Sequence, residues 1–250
     1  MAQAEERRAA RTRRIVLVGG FVVSLAVFVA LVVLVVVHQN SSDDTSPTST
    51  VRPTTASDFG NGPCPNPDGS SPRQLHFSSP PKLCIVPTEH YVAKFQTTAG
   101  NFTVSLDAAS APVTVNNFVV LALYHYYDGS TFHRAIPGYI VQGGDPTGKP
   151  PGTGGPGYTI ADELPASLSD YTVGSMAMAN TGQPHSGGSQ FFFWMGPNQL
   201  PGPSYSLFGK VVSGLDVVRE IEATGSPSGT VASPVTIQAV TIGAAQIVSR

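Results

Sequence analysis

An arginine with no acid beside it is the first residue of this chain that looks placed for chemistry. Arg134 sits in the run Phe132-His133-Arg134-Ala135-Ile136-Pro137-Gly138-Tyr139-Ile140-Val141-Gln142-Gly143-Gly144. A second run, Met178-Ala179-Asn180-Thr181-Gly182, is followed by Gly188-Ser189-Gln190-Phe191-Phe192-Phe193. Together they set one guanidinium among aromatic and aliphatic side chains, two glutamines and an asparagine. No carboxylate pair, cysteine nucleophile or metal-ligand cluster accompanies it in the sequence. Such a set suits a reaction that breaks no covalent bond and only redistributes charge on an amide, because a planar, permanently charged fork holds its direction in an apolar groove.

Two other motifs fail on context. Gly152-Thr153-Gly154-Gly155-Pro156-Gly157 has the spacing G-x-G-x-x-G, but Pro156 and the lack of a helical pattern after it argue against a dinucleotide site. Gly187-Gly188-Ser189-Gln190-Phe191 lacks the last glycine of a nucleophile elbow. Both read as accidents of a glycine-rich groove rim.

The elements that must position these residues are mostly strands. Val92–Thr97 and Phe102–Leu106 alternate around Ala99-Gly100-Asn101, a hairpin signal. Pro112–Tyr124 reads as a helix with proline in its first turn and Val115, Phe118, Val119 and Ala122 near one face. Strand patterns follow at Thr131–Arg134, Ile140–Gly143, Ser175–Met178, Gln190–Trp194, Ser206–Val212 and Val235–Ile242. A second helix fits Leu215–Ala223, with Val217, Val218 and Ile221 inward. With 26 glycines and 22 prolines in 250 residues, this predicts a mostly β fold, a closed antiparallel barrel with two helices capping its ends.

The net charge of −2 and the absence of a basic stripe from His90 onward argue against nucleic acid as a partner. Ile15–Val37 carries no charge and would be roughly 34 Å long as a helix, enough to span a hydrocarbon core. Arg7, Arg8, Arg11, Arg13 and Arg14 precede it and Asp43 and Asp44 follow, which puts the N-terminus in the cytoplasm and the rest outside. No small-x-small cleavage site follows the apolar run, so an uncleaved anchor is expected rather than a signal peptide. The expected organisation is a basic cytoplasmic tail (1–14), a transmembrane helix (15–37), a disordered Ser/Thr/Pro-rich linker (38–88) and a globular domain (89–250), with local docking open to the linker's second half. That half holds Cys64 and Cys84, either bridged, if the region is extracytoplasmic, or two free thiols.

Both motif runs closely resemble the signature of the cyclophilins, the peptidyl-prolyl cis/trans isomerases, and the likeness runs from about Tyr91 to Gly243. The resemblance implies an eight-stranded barrel with a packed interior and the active groove outside. It implies no cofactor and no metal, and proline-containing unfolded or flexible polypeptides as partners. Position by position, it implies that Arg134 acts on the prolyl nitrogen, and that Gln142 and Gln190 hold the substrate and Arg134. Asn180 would pair with the substrate backbone, with Ala179 and Thr181 flanking it. Phe132, Tyr139, Ile140 and Phe192 would line the proline pocket. His133 is expected to be structural.

The chain departs from the pattern in places. Tyr139 stands where the family has phenylalanine, Leu200 where it has a tryptophan associated with tight cyclosporin binding, and Tyr205 where it has histidine. Weak cyclosporin binding with catalysis retained is therefore expected. The Gln183–Gly188 loop looks one residue longer than the common form. Two alternatives remain open from sequence: a non-catalytic module that binds proline-bearing segments, and a holdase chaperone.

Overall fold

The computed structural model describes Thr55 and residues 58–196 and 204–243. The expected cytoplasmic tail, the expected transmembrane helix at 15–37, the start of the linker and Leu200 lie outside the described residues. Among the described residues, no helix is long and apolar enough to cross a membrane.

The expected hairpin forms as β1 (Tyr91–Thr97) and β2 (Gly100–Leu106), in the register Tyr91↔Leu106 to Thr97↔Gly100. Period-two alternation sends Tyr91, Ala93, Phe95 and Thr97 inward. Phe95 stacks on Phe102 across the pair at 4.6 Å. Six further strands complete one antiparallel sheet: β3 (Arg134–Ile136), β4 (Ile140–Gly143), β5 (Ser175–Met178), β6 (Phe191–Trp194), β7 (Leu207–Ser213) and β8 (Ile237–Gly243). Their order is β3-β4-β6-β5-β7-β2-β1-β8.

The expected closed barrel is met only in part, because the strand ladder does not run from β3 to β8. The gap is spanned by the segment before β3, which bonds to the residues leading into β8 and to its first residue, Ile237. Phe132 N–H donates to Val235 O at 3.0 Å, and Ile237 N–H donates to Ser130 O at 2.8 Å.

Helix α1 (Pro112–Leu123) begins with proline where a missing N–H costs nothing. Its first turn is closed by Glu163, whose carboxylate accepts from Val113 N–H at 2.9 Å and from Thr114 N–H at 2.7 Å, as favours an anion at a helix N-terminus. The sequence pattern implies one buried face, yet every residue of α1 is buried. Phe118 packs on Phe95 and Phe208 of the sheet, Val120 meets Cys84 of the 58–88 segment, and Asn117 is bonded to Tyr158 and Gly188. Helix α2 (Leu215–Ala223) buries Val218 and Ile221, while Val217 packs half-buried against the hairpin turn at Gly100.

Residues 58–88 therefore correct the expectation of a disordered linker running to residue 88. They form an ordered arm. Gly60 and Gly62 N–H groups donate to Pro81 and Pro80, Lys82 N–H donates to Gly62, and Cys64 is bonded to Cys84 across a separation of 20 residues. Closing a loop of that size stabilises the fold by about 3 kcal/mol in the chain-entropy account. Cys84 is buried against Val120 and Tyr124 of α1 and its C-cap. Its N–H donates to Asn116 Oδ1 at 2.7 Å, and Asn116 Nδ2 returns a bond to Lys82 O at 2.9 Å. Ile85 joins the main core. Composition predicted a tether because large apolar residues are sparse there; a disulfide, backbone pairing and a few anchors suffice to order it.

Candidate active site

The groove arises from the registers of β3, β4, β6 and β5. Arg134 pairs with Gln142, Gln142 with Phe192, and Phe192 with Ala177, so these four form a row across the sheet. The next row, Ala135–Val141–Phe193–Met176, points to the opposite face and is fully buried in the main core. Alternation along β6 gives the same division: Phe191 and Phe193 enter the barrel, whereas Phe192 and Trp194 belong to a separate outer cluster.

That outer cluster holds Ile140, Phe192, Trp194, Ala177 and Tyr171, with Tyr139, Ala179 and Tyr205 packed at its margin. Tyr139 meets Trp194 edge-on at 4.9 Å, and Tyr205 meets Phe192 edge-on at 5.1 Å. Tyr205 is held in place by Tyr171, whose hydroxyl donates to Tyr205 O at 2.5 Å and accepts from Tyr205 N–H at 3.3 Å. Burial pushes the Tyr171 phenol up to about 12, so it stays a neutral donor.

Arg134 lies at the rim of this cluster, half-buried, with no carboxylate within ion-pair distance among the described residues. Its Nη1 donates to Gln142 Oε1 at 3.2 Å, and Gln142 Nε2 donates to Gln190 Oε1 at 3.0 Å. Gln190 Nε2 in turn donates to Gly152 O at 3.1 Å and Gly154 O at 2.9 Å. The relay orients both amides and leaves the rest of the guanidinium for a ligand.

Asp145 anchors the end of that relay. Its carboxylate accepts from Gly148 N–H at 2.7 Å, Gly152 N–H at 2.6 Å, Gly154 N–H at 2.9 Å and Thr147 N–H at 3.1 Å. Burial pulls its pKa upward, but the N–H groups of Gly154, Gly148, Gly152 and Thr147 outweigh it and hold the carboxyl below the ordinary value. A Cβ on Gly154 would stand 2.3 Å from Asp145 Oδ1. The G-x-G-x-x-G run is thus no dinucleotide motif, but neither is it an accident.

Asn180 sits at the other side of the groove, its Nδ2 donating to Ser204 O at 2.8 Å and its Oδ1 accepting from Gly182 N–H at 3.0 Å. Ala179 N–H donates to Gln190 O, and exposed Thr181 is tied to Ser186. A cleft of about 800 Å³ opens from Gln142 and Gln190 past Ala179, Asn180 and Thr181 to the wall Pro156–Thr159. A larger cleft of about 940 Å³, beside Glu89, Asp107 and Lys210, contains none of the motif residues.

One expected pocket residue is misplaced. Phe132 is 0% exposed and lies in the main core against Phe102, Phe191 and Phe193. It sits at the seam before β3 begins, and its ring fills the space a Cβ on Gly143 would need. No surface of it is left for a substrate. Sequence reading missed Tyr171, Trp194, Asp145 and Gly229. A Cβ on Gly229 (φ 87°) would come within 3.1 Å of Arg134 Cγ, so only glycine lets that turn back the arginine stem. Its place in Ser226-Pro227-Ser228-Gly229, a turn signal, was the available clue.

The sequence from residue 92 to 242 matches the family model described as cyclophilin type peptidyl-prolyl cis-trans isomerase/CLD. The chain belongs to the cyclophilins. It is 44% identical over 125 residues to peptidyl-prolyl cis-trans isomerase B of Bacillus subtilis, covering 46% of this chain and 85% of that protein. It is 40% identical over 131 residues to peptidyl-prolyl cis-trans isomerase ppi1 of Schizosaccharomyces pombe, covering 51% of this chain and 83% of that one. Its fold is similar to a Cryptosporidium parvum cyclophilin type peptidyl-prolyl cis-trans isomerase, with TM-score 0.57, 29% identity, and coverage of 63% of this chain and 99% of that chain. A crystal structure of that protein in the presence of the dipeptide Ala-Pro is similar at TM-score 0.56 and 29% identity, covering 62% of this chain and 99% of that chain.

This cyclophilin is a peptidyl-prolyl cis-trans isomerase. His133 has no visible part in acid–base chemistry, since both ring nitrogens are buried with no hydrogen-bond partner among the described residues. Burial pulls its pKa down and keeps the ring neutral. No group of three or more metal-binding side chains occurs among the described residues.

Proposed function

We propose that Arg134 donates to the prolyl nitrogen of a substrate whose proline ring rests on the outer cluster of Ile140, Phe192, Tyr139 and Tyr205. The carrying observation is the Arg134–Gln142–Gln190 relay, which aims an unpaired guanidinium along the edge of that cluster. Rotation about an X–Pro bond is opposed by amide resonance, with a barrier of about 20 kcal/mol. Twisting localises the lone pair on nitrogen, so a donor aimed there favours the twisted state over both planar ones. An acceleration of about 10⁵ requires roughly 7 kcal/mol. One charged hydrogen bond supplies only about 1.5–3 kcal/mol net in ordinary settings. Preorganised dipoles and water exclusion, here the fixed amides of Gln142 and Gln190 beside an apolar floor, supply the rest. Asn180 holds the substrate backbone, with Ala179 and Thr181 flanking it.

The cellular reading is an isomerase anchored by a helix at 15–37, with the N-terminus cytoplasmic and the catalytic domain outside, acting on folding or flexible proteins there. The charge asymmetry around the apolar run and the Cys64–Cys84 bridge support it, since disulfides persist in oxidising compartments. Cyclosporin binding is weak in this reading, on the strength of Leu200 and Tyr205.

The test is the exchange rate of an X–Pro peptide with the full chain in detergent, beside Arg134→Ala. Acceleration that collapses in the variant supports the assignment of Arg134; acceleration equal in both removes it. Client protection that survives in the variant would favour a holdase. A fragment starting at His90 is unsuitable, because it would strip the arm and Ile85 from the core.

A further inference from the structure

The arm reaches the groove as well as the helix. Phe77 N–H donates to Pro156 O at 2.8 Å, and its ring meets Tyr124 at 5.5 Å, Tyr126 at 6.3 Å and Tyr158 at 6.1 Å. At Gly157 (φ 104°) a Cβ would stand 2.5 Å from Phe77 O, so the two backbones touch with no room for a side chain. Pro156, Gly157 and Tyr158 are the wall of the cleft that faces Gln190, Ala179 and Asn180.

The wall belongs to no strand, so its position depends on what is packed behind it. Two supports converge there, both referred to α1. Tyr158 donates its hydroxyl to Asn117 Oδ1 at 2.6 Å, and Asn117 Nδ2 donates to Gly188 O at 2.7 Å, which ties the wall to the strip leading into Gln190. Phe77 is the other support. It is held by an arm fixed to the neighbouring Asn116, to His125 O and Asp128 O through Arg73, and upon itself by Cys64–Cys84. The family match begins at residue 92, so the arm lies outside the shared part of the domain.

We propose that the disulfide-closed arm is a positioning element of this isomerase. Through Phe77 it sets the wall Pro156–Tyr158, and with it the affinity for substrate side chains flanking the proline, while the chemistry at Arg134 is left unchanged. A substrate lying across the outer cluster runs past Gln142 and Gln190 into this cleft, so the wall meets neighbouring residues and not the twisting bond. The inference rests on the assignment of the Arg134 groove as the isomerase site.

The experiment compares two X–Pro peptides, one with bulky and one with glycine neighbours around the proline, using the full chain in detergent, Phe77→Ala and Phe77→Tyr. Phe77→Ala is expected to raise KM for the bulky peptide about five- to tenfold, as for a reshaped side-chain pocket. Its kcat, and both constants for the glycine peptide, should stay within about twofold, and Phe77→Tyr should restore the bulky peptide. Equal losses on both peptides would overturn the proposal and leave the arm a stability clamp, as would no change on either. Should Phe77→Ala fail to fold, the Cys64→Ser/Cys84→Ser chain, which opens the arm without adding bulk at the buried Cys84, gives the same reading. A KM rise confined to the bulky peptide supports the proposal, and a parallel loss or no change overturns it. Failure of wild type to accelerate the glycine peptide would instead bring down the isomerase assignment of the groove.

Discussion

The two faces of the sheet carry similar residues and do opposite work. Phe191 and Phe193 enter a core already holding Phe95, Phe102, Phe118 and Phe132, all at most 2% exposed. Phe192, one position away from each, joins Ile140 and Trp194 in a cluster with a wet rim of Arg134, Gln142 and Asn180. The inner face has few polar partners to satisfy, so it is organised by packing. The outer face ends in hydrogen-bonding side chains whose own partners are fixed by loops. Aromaticity alone therefore says nothing about role; parity along the strand does.

The sharpest test of this contrast is Phe193→Ala, which should cost about 3–5 kcal/mol of stability. Denaturant unfolding checks the loss, and the folded fraction should retain its specific activity. Arg134→Ala should do the reverse. Its kcat/KM should fall about 10²–10³-fold, as for removal of a single preorganised donor, with thermal unfolding nearly unchanged. Arg134→Lys should recover little, because an ammonium lacks the planar fork. A large stability loss in Arg134→Ala would erase the distinction between the faces.

Reduction of Cys64–Cys84 should cost about 3 kcal/mol, read from the denaturant midpoint under reducing and oxidising conditions. The smallest effect is a pH dependence. Burial lowers the folded-state pKa of His133, so the unfolded chain binds the proton first as pH falls below the ordinary histidine value near 6.5. Its contribution is complete above that pH and is lost as pH falls toward the folded pKa. His133→Gln should flatten the stability profile there, measured as unfolding midpoint against pH between 7 and the onset of carboxylate titration. Asp145 acts lower: its depressed pKa stabilises the fold above the ordinary carboxylate value, and that stability is lost as pH drops below it. A profile unchanged by His133→Gln would show that the ring is solvated.

Much of this was legible beforehand where the interactions are local. The hairpin at Gly100, the start of α1 at Pro112 and the whole of α2 were readable from periodicity, turn residues and proline position. So were strands β4 and β5, to the residue. Arg134, Gln142, Gln190 and Asn180 were named by motif, and three of them prove to be joined in one relay or across one cleft with the fourth. Phe132 was not legible, because it lies outside the β3 ladder and its facing is set by Gly143 and the seam with Val235. The arm was not legible either. Its order comes from Asn116, Tyr124 and Pro156, residues distant in the chain.

The sequence by itself determined which residues alternate, where turns fall, and that one arginine stands among amides and aromatics without an acid. These are properties of neighbours, set by backbone sterics and side-chain type over a few residues. Only the tertiary structure decided which face Phe132 takes, that Glu163 closes α1, that Asp145 holds the loop ending the arginine relay, and that a proline-rich arm backs the groove. Each depends on groups brought together across long separations, where burial and hydrogen-bond satisfaction act on the folded whole.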